Sequence, residues 1–173
     1  MLFRSLGFPD SLQKLIDHPP TTEAGSSFRQ CLAPYLDNPL NYPVALAQGA
    51  TDCTPELAAL RARVAASEDR DGDLAAQLRV VENAEAYYRA MATSAASAWN
   101  RRVAHFAETL ERLLANHGPE ARGIAWAHNT HVGDARLSAM AGQGMQSLGE
   151  LLRTRFGAES TLLVGSATYT GSV

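Results

Sequence analysis

The chain has 173 residues, 46% hydrophobic, 7% aromatic and 19% charged, with a formal net charge of -3. That is the length of one modest soluble domain, able to bury roughly two-thirds of the surface its unfolded chain exposes. The figures exclude a disordered chain, a basic nucleic-acid binder and, with no run near ~18 apolar residues, a membrane-spanning helix.

Two cysteines, Cys31 and Cys53, are too few for a disulfide framework, and no Cys-x-x-Cys occurs. Neither has a basic or His neighbour in sequence, so a catalytic thiolate is not expected. A reducing, cytoplasmic setting is expected. Lys14 is the only lysine among the 15 basic residues, which with the abundant alanine points to a GC-rich bacterial genome. Met1–Ser5 has one charge and no apolar core, unlike a signal peptide. Leu2-Phe3-Arg4-Ser5 is also the translation of a common sequencing-adapter tail. The expectation is a truncated reading frame, with an end at Val173 that cuts a sheet short.

Pro9, Pro19, Pro20, Pro34, Pro39 and Pro43 break residues 1–50 into pieces, with short helices expected near 10–17 and 22–36. Thr54-Pro55-Glu56 is a helix start: a capping hydroxyl, a proline in the first turn, then an acid at the positive end of the dipole. That helix runs to about Ser67, and a polar turn to Gly72 follows. Leu74, Leu78, Val81, Glu85 and Tyr88 then fall on one stripe at helical spacing. After a break near 92–97, Trp99, Val103, Phe106, Leu110 and Leu113 form the stripe of a further helix. Gly118-Pro119 stops it.

Gly123–Ala127 is short, apolar and bounded by turn residues, and reads as a buried strand. Gly142–Met145 reads as a loop and Met145–Phe156 as a helix, capped by Gly157. Ser160–Ala167 reads as a second strand. Two strands joined by such a helix are expected to be parallel, through a right-handed crossover. The expected fold is therefore α/β: a helical lobe over 1–120, then a β-α-β unit of a parallel sheet over 121–173. The whole is a single partial domain, a fragment of a larger α/β hydrolase-like domain.

In open parallel sheets, ligands sit beyond the carboxyl ends of the strands. Here the first strand runs into Ala127-His128-Asn129-Thr130-His131-Val132-Gly133-Asp134 and the second into Ala167-Thr168-Tyr169-Thr170-Gly171. Two histidines, an amide, an aspartate and hydroxyls would share one rim. His128, His131 and Asp134 also have the spacing of a His-x-x-His-x-x-Asp metal site. No further His/Cys cluster completes a shell, so a metal is the weaker alternative. Arg102 and His105 share a helix face. They either point into a cleft or lie on a solvated charged face with Glu108 and Arg112.

The run Trp126-Ala127-His128-Asn129-Thr130-His131-Val132-Gly133-Asp134 resembles the Trp-Ala-His-Asn-x-His-x-Gly-Asp signature of the erythromycin esterase-like family. Asn83-Ala84-Glu85-Ala86-Tyr87-Tyr88-Arg89 resembles that family's Asn-Ala-Glu-x-Tyr-Tyr-Arg helix. Trp99-Asn100, with Arg102, His105, Glu108 and Thr109, resembles the helix after it. Gly144–Leu152 and Thr168-Tyr169-Thr170-Gly171 follow in order. The likeness is specific over about 75–173 and loose before, with Cys31-Leu32-x-Pro34-Tyr35 its best earlier point.

The resemblance implies a hydrolase of esters or macrolactones, the best-known relatives opening erythromycin, with no cofactor. It implies His128 and His131 as catalytic residues. Asn129, Asp134, Arg102, His105 and Tyr169 would bind substrate or support them. The family's water-activating Gly-Glu-x-x-His-Gly motif does not occur in these residues. The isolated chain is therefore expected to be inactive, its missing partner being the N-terminal part of the same domain. Val103 stands where the family carries an acid beside the arginine, which removes any ion pair there. Two other readings remain: a metal-binding module on His128, His131 and Asp134, and a helical interaction module without catalysis.

Overall fold

Periodicity at helical spacing dominates this chain, and the computed structural model follows it. The structure describes residues 8–17, 23–35, 37–68 and 72–167. The chain divides into two compact units, Met1–Ala98 and Trp99–Val173.

In the first unit, α1 (Phe8–Asp17) and α2 (Glu23–Leu32) lead into a 3-10 turn at Ala33–Tyr35. They are followed by α3 (Asn41–Ala47), α4 (Thr54–Ala65) and α5 (Asp73–Met91). α5 is the spine: α1, α3 and α4 all pack on it, while α2 packs on α4 and α1. Leu74, Leu78, Val81, Glu85 and Tyr88 are all buried, as their spacing predicts. Leu15, Phe28, Leu60 and Val81 are wholly shielded from solvent.

Helix α3 is missing from the sequence reading because Pro43 reads as a breaker. It sits in the first helical turn, where its missing N–H costs nothing. At the start of α4 the N-cap is Cys53, one residue before the expected Thr54. Asp52 accepts the Thr54 N–H at 3.0 Å. Hydrogen bonds from the Thr54 side chain and N–H hold Asp52 below the usual carboxylate range.

Cys31 and Cys53 form a disulfide, with Cα atoms 5.9 Å apart. One bridge is not a framework, but it departs from the expected reduced thiols. Its cause is tertiary: α2 packs along α4, which brings the last turn of one to the cap of the other.

One polar network lies in this core. Tyr42 donates to Glu85 Oε1 at 3.0 Å and accepts the Cys53 N–H at 3.0 Å. Arg89 Nε donates to both Glu85 oxygens, at 2.9 and 3.2 Å. Glu85 is 3% exposed, so these partners replace water. Burial pushes the Tyr42 phenol far above its ordinary range.

The second unit holds most of α6 (Ala95–His117), then α7 (Asn129–Val132), a 3-10 turn at Ala135–Leu137 and α8 (Ala139–Gly142). α9 (Leu148–Phe156) and a last 3-10 turn at Ala158–Ser160 complete it. α6 stops at Gly118, whose φ of 93° is the left-handed conformation its position demands.

The α/β expectation is overturned here. Among the described residues there is no strand and no sheet, so no β-α-β unit forms and the fold is helical. Residues 121–128 and 161–167 carry no regular structure. Ile124 is 93% and Trp126 97% exposed, where a buried strand was expected. Leu162 and Val164 are also exposed. An apolar run supplies strand propensity, but a strand needs a neighbour to complete its ladder, and propensity cannot supply one.

Among the described residues, no helix is long and apolar enough to cross a membrane.

Candidate functional site

The nine-residue signature lies wholly in the second unit, and side chains of α6 and α9 hold it in place. Asn100 of α6 brackets the loop before α9: its Nδ2 donates to the Gly144 carbonyl and its Oδ1 accepts the Gln146 N–H, both at 2.8 Å. Trp99 Nε1 donates to the Gln146 carbonyl at 2.6 Å. Ser147 then ties that loop to the signature. Its hydroxyl donates to the Gly133 carbonyl at 2.6 Å and accepts the Ala135 N–H at 3.0 Å. It also caps α9 through the Glu150 N–H at 3.2 Å.

His131 sits against this frame. Its imidazole stacks on the Trp99 indole, centroids 4.7 Å apart and planes within 6°. Phe106 meets it edge-on at 6.5 Å. The Arg102 guanidinium lies over the Phe106 ring, 5.3 Å from its centroid. Nδ1 of His131 is buried without a hydrogen-bond partner, as is Nε of Arg102. Burial, reinforced by the Arg102 charge and then by the neighbouring His128, pushes His131 below the ordinary imidazole range. It is therefore neutral at neutral pH, and Nε2 is the nitrogen left to meet a ligand.

His128 does a different job. It is exposed and is the N-cap of α7, its Nδ1 accepting the Thr130 N–H at 3.3 Å and lying 3.0 Å from Thr130 Oγ1. Asn129 spends its amide on Ser166: Nδ2 donates to the Ser166 carbonyl, and Oδ1 accepts the Ser166 N–H at 3.0 Å. That clasp brings the ends of the two irregular segments together.

Asp134 is committed to arginines. It accepts from Arg136 at 2.8 and 2.6 Å, with Arg153 at 3.9 Å. The Arg136 hydrogen bonds hold its carboxyl below the usual range. His105 is 9% exposed, which excludes a solvated face for it. Its Nδ1 has no partner, and burial, then Arg112, lowers its pKa while Glu108 opposes. The His105 ring centroid lies 6.4 Å from that of Phe106.

The structure thus brings His131 and Arg102 together, sets His128 at the adjoining helix cap, and leaves Asn129 and Asp134 to shape the loop. Tyr169 lies outside the described residues, as do Thr168, Thr170, Gly171 and Met1–Ser5. No three His, Cys, Asp or Glu side chains among the described residues are grouped to hold a metal ion, so His128, His131 and Asp134 do not converge as their spacing suggested.

Sequence reasoning missed the roles of Trp99, Asn100, Ser147 and Gly149. For Ser147 a signal existed: Ser147-Leu148-Gly149-Glu150 is a capping-box pattern, which starts α9 later than the expected Met145.

No solved structure matches the chain. The family model for erythromycin esterase matches residues 10–173, and the chain belongs to that family.

Proposed function

We propose that this chain carries one half of the machinery of an ester hydrolase acting on small-molecule esters or macrolactones. Membership of the erythromycin esterase family supports a hydrolase of the esterase type. The observation that carries the finer reading is His131, a neutral imidazole beside Arg102 with only one nitrogen free to act.

In the reaction, water oxygen adds to the ester carbonyl carbon and the carbonyl electron pair moves to oxygen. The bond to the alkoxide then breaks. One proton of the water ends on the alkoxide, and the other is released with the carboxylate. Neutral His131 donates through Nε2–H to the developing oxyanion, and the Arg102 charge lowers the cost of that anion. Exposed His128 orients the attacking water. Asn129, Asp134, His105 and Tyr169 are the supporting set. No nucleic acid or membrane enters this reading, and no cofactor does.

The general base belongs to a Gly-Glu-x-x-His-Gly motif that these residues lack. The chain alone is therefore expected to hydrolyse no ester above buffer. Erythromycin hydrolysis, read by mass spectrometry as the gain of one water, tests this. Adding a family member's segment that carries the motif is expected to produce turnover that His131→Gln abolishes. Turnover by the chain alone overturns the inactivity, and silence in both arms removes the hydrolase reading.

A cytoplasmic address is part of the same proposal. The Cys31–Cys53 bridge weighs against it, and thiol trapping in cells decides.

A further inference from the structure

Trp99 reads in the sequence as one more apolar residue of a helix stripe. Its setting is different from that of a packing residue. Its N–H is spent on the Gln146 carbonyl at 2.6 Å, and the neighbouring Asn100 grips both sides of the same loop. The indole is therefore held at two points, one on its own helix and one on the loop before α9. Among the described residues, the ring on its face is that of His131, at 4.7 Å and 6°. Phe106 packs edge-on against the same imidazole, at 6.5 Å.

We propose that Trp99 is the positioning residue of His131: the anchored indole is the fixed wall that sets the plane of the imidazole and thereby the direction of Nε2. The inference rests on the hydrolase reading only in treating Nε2 as the working nitrogen. A planar ring stacked on a fixed ring keeps its tilt, with Phe106 packed edge-on against the same imidazole. The stack thereby defines the plane in which the free nitrogen is presented. Reactions that stabilise a developing charge depend on such preorganisation.

Among the described residues, two groups bear electrostatically on His131. Arg102 faces it from α6 and His128 from its own segment. α9, packed on α7, carries Glu150, Arg153 and Arg155, which are engaged with Gln146, Asp134 and Glu111 respectively. A titration seen by Trp99 is therefore that of the stacked ring.

The chain has two tryptophans, and Trp126 is 97% exposed. In a Trp126→Phe background, Trp99 is the only indole, and a protonated imidazole on its face quenches it. Its emission is expected to fall in one step on acidification, with a midpoint below the ordinary imidazole range. The step disappears in His131→Gln. A flat profile, or a step that survives His131→Gln, overturns the proposal without requiring any change at Trp99.

Substitutions at Trp99 separate positioning from anchoring. Trp99→Phe keeps a flat ring and loses the N–H; Trp99→Leu loses both. The upfield-shifted His131 Cε1–H proton signal and its low midpoint are expected to persist in Trp99→Phe and to vanish in Trp99→Leu. Equal loss in both assigns Trp99 an anchoring role only. In the complemented hydrolysis assay, Trp99→Leu is expected to lower kcat at least tenfold with little change in KM. Normal ring signals with no hydrolysis in any arm sink the hydrolase reading and leave the positioning intact.

Discussion

Leaving a buried polar atom unpaired costs stability, and three residues show the two cases. Tyr42 is fully paired: its oxygen serves Glu85 and the Cys53 N–H together. Tyr42→Phe leaves a buried backbone donor without an acceptor and removes one donor from Glu85. The expected loss is about 2 kcal/mol of unfolding free energy, read from the urea midpoint at constant slope. An unchanged midpoint means that water already reaches the Cys53 amide. His131 and His105 are the opposite case, each with a buried Nδ1 that no group meets. Both have lowered folded-state pKa values, so the unfolded chain takes up protons first as pH falls. Their contribution to stability is complete above the unfolded value of about 6.5. It is lost as pH falls through the folded-state values. Stability measured from neutral pH downward should therefore decline, and the double substitution His105→Gln with His131→Gln should flatten that decline. His128→Gln should raise the His131 midpoint, since it removes one of the groups whose electrostatics lower it.

Elements in the second unit meet at backbone distance, and glycine makes that possible. A Cβ on Gly149 would overlap the carbonyl oxygens of Val132 and Gly133. Those are backbone atoms of the signature, so no flexible side chain can give way. Gly149→Ala must push α9 away from α7 and break the Ser147 bonds to Gly133 and Ala135. A loss of about 2 kcal/mol is expected from such overpacking. The Trp99 quenching step should weaken with it. Retention of both the step and the melting midpoint shows that α9 can shift without moving His131. Nothing in the periodicity of 148–156 announces this contact, because it joins a helix face to carbonyls of a distant loop. Helix α5 was legible for the converse reason: Leu74, Leu78 and Val81 express their burial in local spacing alone. The signature around His128 and His131 was legible as a pattern, but the stack on Trp99 was not. The segments at 123–127 and 160–167 misled, because apolar runs announce burial and say nothing about a pairing partner.

At the scale of the molecule, one covalent link constrains the first unit. Cys31 and Cys53 are 22 residues apart, and the loop they close contains α3 and Tyr42. Closing a loop of that size removes unfolded-state entropy worth roughly 3 kcal/mol. Reduction should therefore lower the unfolding free energy by about that amount. The double substitution Cys31→Ala with Cys53→Ala should match the reduced protein and ignore reductant. Free thiols in the purified chain, or one midpoint with and without reductant, refute the bridge. Cys53 has a second role, because its N–H is the one that Tyr42 accepts. The disulfide holds the α4 cap where the Tyr42 hydroxyl can reach it. Without the bridge, the cap and the hydroxyl share less of their geometry. The effects of Tyr42→Phe and of reduction should then fall short of their sum, by the coupling expected of groups with a common partner. Strict additivity in that cycle would mean that the core holds Tyr42 against α4 unaided, and that the bridge acts on the unfolded chain alone.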